Sequence, residues 1–153
     1  MASRKSVSRL DDHVGYWLRF VSNHVSHAFM QKVETQGVTV AEWVLLRELY
    51  EMPGISPSQL AETLGMTRGT VSKLVERLCQ KELVERTAAG DDRRRQTVAV
   101  TAAGGKLVPV LARLADENDR EFFGHLSPEE SAALVGQLRD IVRRHGWKDL
   151  PVD

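Results

Sequence analysis

The chain has 153 residues, 42% hydrophobic and 27% charged, which are globular proportions and exclude wholesale disorder. Lysine plus arginine equals aspartate plus glutamate at 21 each, so a globally basic nucleic-acid binder is excluded while a local basic patch is not. The single cysteine, Cys79, excludes an internal disulfide and a multi-cysteine zinc site.

The opening "MASRKSVSRLDDH" has basic residues but no apolar core behind them, so no secretory signal is read there. No run reaches the roughly 18 apolar residues of a membrane span. A cytoplasmic protein with no membrane partner is expected. Leu10, Val14, Leu18, Val21, Val25 and Phe29 recur at steps of three and four, which predicts a helix over 8–35. Its apolar face is too long for one small domain to cover. Gly37 is expected to cap it. Thr39 and Glu42 read as a capping box opening "VAEWVLLRELYE", and "MPG" at 52–54 ends that second helix.

In "SPSQLAETLG", Ser56 suits the N-cap, Pro57 the first helical position and Gln59 the other half of a capping box. Leu60, Ala61 and Leu64 point inward, and Gly65 stops the helix. Thr67 then caps "RGTVSKLVERLCQK". Val71, Leu74, Val75 and Leu78 form its inner face, with Arg68, Thr70, Lys73 and Arg77 outside. "LVERT" and "QTVAVT" have strand character and predict a β-hairpin over 83–101, with "AAGDDRRR" between them. Thr101 caps a further helix that tolerates Pro109 with a kink. "SPEE" at 127–130 opens the last one, which carries Leu134, Leu138, Ile141 and Val142.

Short helix, glycine turn, second helix, hairpin: this order predicts a mainly α fold with a small β-hairpin, a winged helix-turn-helix flanked by long helices. A helix that enters a groove about 12 Å wide must be slim and polar near its N-terminus. Thr67, Arg68, Gly69, Thr70 and Ser72 fit that need. Lys73 and Arg77, one and two turns on, suit flanking phosphates. From Thr67 to Arg95 eight basic residues face five acidic ones, whereas Asp116 to Glu130 holds six acids and one arginine. Charge is sorted along a neutral chain. An arginine-rich hairpin tip adds to this, because a narrow minor groove attracts arginine.

From about Gly15 to Gly104 the sequence resembles the MarR family of dimeric bacterial transcriptional regulators. "VTVAEWVLLREL", "ISPSQLAETLGMTRGTVSKLVERLCQKELVER" and "GDDRRRQTVAVTAAG" match in order, spacing and character. The last holds the family's wing signature in Asp92, Arg94, Thr101 and Gly104. The resemblance implies a homodimer on near-palindromic double-stranded DNA, with residues 1–38 and 102–153 as a helical dimerisation region and 39–101 as the DNA-binding domain. It implies that Ser56 meets a phosphate and that Arg68, Thr70, Ser72, Lys73 and Arg77 face the major groove. It also puts Arg94 in the minor groove, braced by Asp92, with Arg93 and Arg95 beside it. Two residues depart from the family pattern. Arg95 stands where a small residue is usual, and Glu82 stands where glycine is frequent. A left-handed Glu82 would store roughly 1–2 kcal/mol.

The resemblance further implies a small-molecule effector, often an aromatic acid or other phenolic, with His13, Tyr16, Trp17, Phe20 and Trp43 as the candidate pocket. A repressor released by such a ligand is expected, with no cofactor. Metal sensing through His24 and His27, three apart on the first helix, is one alternative. A winged-helix protein-interaction module is another. No phosphate loop, G-x-S-x-G or H-E-x-x-H occurs, so an enzyme is not expected.

Overall fold

The computed structural model describes residues 6–88 and 96–148. Six helices and one hairpin follow in the order α1 (Val14–Glu34), α2 (Val40–Tyr50), α3 (Pro57–Leu64), α4 (Arg68–Gln80), β1 (Val84–Ala88), β2 (Gln96–Val100), α5 (Ala102–Phe123) and α6 (Pro128–His145). Sequence and structure agree on the fold class. They differ at the start of α1. Asp12 Oδ2 accepts from Arg9 N at 2.8 Å, holding Leu10–Asp12 in a single 3-10 turn, and His13 is extended at φ −96. Trp17 Nε1 donates to Asp11 O at 2.9 Å. These local bonds compete with the helix, which therefore begins at Val14 rather than residue 8.

The starts of α3 and α6 are built as their residues dictate. Ser56 Oγ accepts from Gln59 N, while Gln59 Oε1 accepts from Ser56 N, so both halves of the capping box form. Gly65 ends α3 in the left-handed region at φ 64. Ser127 and Glu130 repeat the box at α6. At α2 only half of it forms. Thr39 Oγ1 accepts from Glu42 N, but the Glu42 carboxylate turns inward to Lys81 instead of back to Thr39.

The core lies where α2, α3 and α4 meet the hairpin and the adjoining halves of α1 and α5. Leu45, Leu46, Leu49, Leu60, Val71, Val75, Leu78, Val98 and Leu111 are buried there, with Val33 closing it from α1. Burying each such side chain contributes roughly 1.5–3 kcal/mol. α5 runs unbroken through Pro109, whose ring is exposed. Toward its far end, buried Asn118 donates to Val25 O and accepts from Lys32 Nζ, pinning α5 to α1. α6 has no buried residue at all.

β1 and β2 pair antiparallel, with Val84 opposite Val100 and Thr87 opposite Thr97. A third segment joins them: Ile55 N donates to Val98 O at 3.2 Å and Val98 N to Ile55 O at 2.8 Å. Ile55, two residues before α3, is thereby stitched to the hairpin. At its base, Glu82 has φ 59, the only positive-φ non-glycine among the described residues. Leu83 O accepts from Thr101 N at 3.0 Å. A Cβ on Gly104 would lie 2.2 Å from that same oxygen, so the hairpin and α5 can meet only over a glycine. No helix of the described residues is long and apolar enough to cross a membrane.

Candidate nucleic-acid interface

α4 with its N-cap holds seven of the twelve residues read as DNA-facing, six of them in its first two turns and Arg77 in its last. Thr67 Oγ1 caps the helix by accepting from Thr70 N at 3.1 Å, and it donates to Thr70 Oγ1 at 2.9 Å. With its oxygen already accepting, the Thr70 hydroxyl has its own proton to give outward. Arg68 and Gly69 carry N–H groups that the helix cannot pair internally, at the positive end of its dipole. That is an anion-binding arrangement. A Cβ on Gly69 would meet nothing nearer than Thr67 Oγ1 at 4.0 Å. Glycine is therefore not demanded by the protein's own packing, and it costs the helix about 1 kcal/mol relative to alanine.

Arg68, Ser72, Lys73 and Arg77 are all exposed. Among the described residues, none of the three cations lies within an ion pair. Two neighbours differ. Arg86 on β1 is held by Glu76 at 2.9 Å, and Lys81 by Glu42 at 2.7 Å. The outer side of α4 thus presents three cations that no carboxylate of the described residues engages. Ser56 lies at the start of α3, half-buried, with its hydroxyl donating to Gln59 Oε1 at 3.1 Å. The wing residues Asp92, Arg93, Arg94 and Arg95 lie outside the described residues.

The five residues read as an effector pocket are not brought to one place. Tyr16, Trp17 and Phe20 form an aromatic string on α1, with Tyr16 edge-on to Trp17 at 5.3 Å between ring centroids. His13 is engaged with Leu10 O and Ser8 Oγ in the N-terminal turn. Trp43 packs edge-on to Phe29 against the core, 6.5 Å between centroids. Phe20 alone of the five lines a cavity of about 420 Å³, with His24, Phe122, Phe123, His125 and Leu134 among its other walls. His24 lies against the Phe20 ring at 5.1 Å. Nothing in the sequence spacing joins residue 125 to residue 24. Among the described residues, no three His, Cys, Asp or Glu side chains come together as a metal site. Cys79 is half-buried against the core.

The model of the MarR family matches residues 36–95, which include α2, α3, α4 and β1. A probable transcriptional regulator from Pseudomonas aeruginosa has a similar structure, 31% identical, covering 87% of this chain and 99% of its own, with TM-score 0.75. Staphylococcus aureus MepR, solved as a DNA complex, is 28% identical, covering 86% and 98%, with TM-score 0.77. BpsR of Bordetella bronchiseptica, whose DNA binding is regulated by 6-hydroxynicotinic acid, is 26% identical, covering 89% and 97%, with TM-score 0.76.

Proposed function

Because the chain belongs to the MarR family of transcriptional regulators, we propose that it is a homodimeric repressor that reads a near-palindromic duplex and releases it when a small molecule binds. The observation that carries this reading is the outer face of α4. A donor hydroxyl, unpaired helix N–H groups, a glycine not required by packing and three cations that no carboxylate of the described residues engages lie on the outer side of one helix. Arg68, Gly69, Thr70 and Ser72 would approach base edges, with Lys73 and Arg77 on phosphates. Residues 39–101 form the reading domain. Residues 1–38 and 102–153 form the dimerisation region.

Support for the second copy comes from apolar surface. Val14, Leu18 and Val21 on α1 and Leu134, Leu138, Ile141 and Val142 on α6 are each between 38% and 73% exposed, large apolar side chains of the kind that mark an interaction surface when they cluster. Two reading helices would then meet half-sites about one turn, roughly 34 Å, apart. For the effector, the cavity beside Phe20 and His24 is the supported seat. Its walls are mostly aromatic and aliphatic, and His24 and His125 are its polar groups, which suits a planar acid or phenol.

Titration of the protein against duplex from its own upstream region, at several salt concentrations, tests the reading. Log affinity should fall by about 0.9 per phosphate contact as log salt rises. Salt-insensitive binding, or none to any duplex tried, favours the protein-interaction module instead.

A further inference from the structure

Glu42 is 1% exposed, and one lysine meets its carboxylate: Lys81 Nζ donates to Oε2 at 2.7 Å. The same ammonium donates to Gly37 O at 2.8 Å. Three separate parts of the chain meet at this nitrogen. Gly37, at φ 76, forms the turn between α1 and α2. Glu42 sits in the first turn of α2, and Lys81 is the C-cap of α4. The next residue is the left-handed Glu82, whose carbonyl accepts from Thr101 Oγ1 at 2.7 Å where the hairpin joins α5.

Stability alone does not call for charge here. Only the carboxylate is buried, Lys81 being 38% exposed. Apolar side chains of similar volume commonly stabilise a buried ion-pair position as well or better, whereas leaving Glu42 unpaired is strongly unfavourable. The inner face of α4 is already packed by Val71, Leu74, Val75 and Leu78. Such contacts have no direction and permit small rotations. Two charge-assisted hydrogen bonds from one ammonium do have direction.

We propose that the Glu42–Lys81–Gly37 tie is a positioning device for DNA reading, fixing the angle of α4 and the wing's base against the end of α1. Lever length gives it consequence. The 13 residues of α4 span about 20 Å, so a swing of about 10° around Lys81 carries Arg68 through about 3.5 Å. That is close to one base step of about 3.4 Å and takes any groove hydrogen bond beyond its range of about 3.2 Å.

The test uses the full chain carrying Glu42→Met with Lys81→Met, which replaces the tie by apolar volume. The probe is a duplex selected by the wild-type protein from a random library, plus versions with one or two base pairs added or removed between the half-sites. The spacing arm rests on the two-half-site reading; the affinity arm does not. Wild type is expected to lose at least about tenfold in affinity when the spacing changes by one pair. The double variant should melt at or above the wild-type temperature, bind the selected duplex about tenfold more weakly, and discriminate spacing by less than about threefold. Unchanged affinity and unchanged spacing preference in the double variant overturn the proposal. Wild-type indifference to spacing overturns the two-half-site reading, and the affinity loss then decides the tie by itself. If the double variant does not fold, Glu42→Gln is read in its place. It keeps volume and an acceptor, and should lose about threefold in affinity together with part of the spacing preference; no change in either overturns the proposal.

Discussion

Gly104 and Gly105 are adjacent in one helix, yet alanine should act on them in opposite directions. A Cβ at Gly104 would sit 2.2 Å from Leu83 O and 3.4 Å from the Val100 Cβ. Relieving that contact means parting the hairpin base from α5 by about 1 Å, and overpacking of this kind costs about 1–3 kcal/mol. The oxygen that must move also accepts from Thr101 N at 3.0 Å. Losing that bond adds about 1 kcal/mol, against a helix-propensity gain of up to about 1 kcal/mol. The net loss is about 2 kcal/mol, which lowers the melting temperature of a chain this size by about 4–8 °C. At Gly105 an added Cβ meets nothing within 4 Å. Only the propensity gain of about 0.5–1 kcal/mol remains, raising the midpoint by about 1–4 °C. Thermal melts followed by circular dichroism measure both, at one protein concentration because an oligomer's midpoint depends on it. Two shifts of the same sign, or a Gly104→Ala variant as stable as wild type, would refute the steric reasoning.

Two further outcomes are expected. Ile141→Asp puts a charge into the exposed apolar face of α6 and should give a single-chain mass in sedimentation; a wild-type mass removes α6 from the proposed interface. Arg94→Ala should weaken duplex binding while leaving the oligomer intact, and full affinity in fluorescence anisotropy withdraws the wing role.

What the sequence made legible was local. Ser56 with Gln59, Ser127 with Glu130, Gly65 and Thr67 announce helix ends because capping is decided within four residues. The inner face of α4 followed from its period. Contacts between distant residues had no such signal. Glu42 and Lys81 are 39 positions apart, and the same Thr–x–x–Glu pattern that suggested a full capping box at α2 served the lysine instead. The effector pocket was expected from the resemblance at residues between His13 and Phe20 and at Trp43. Which ring borders the cavity of about 420 Å³ depends on where α5 and its following turn come to rest, and of those residues Phe20 is the one in its wall. The left-handed Glu82 was foreseeable as a departure from a glycine-rich position, and its φ of 59 bears that out.

The two hydrogen bonds between Ile55 and Val98 have a consequence for the nucleic acid rather than for the protein. They join the segment entering α3 to the hairpin's second strand, so on the proposed reading a helix in the major groove and a wing in the minor groove would not adjust separately to a duplex. A site whose grooves are spaced unfavourably must itself be bent or narrowed, at a cost of order 1–6 kcal/mol that depends on its base steps. Base pairs that no side chain touches, lying between the helix and the wing, would then be selected for their stiffness.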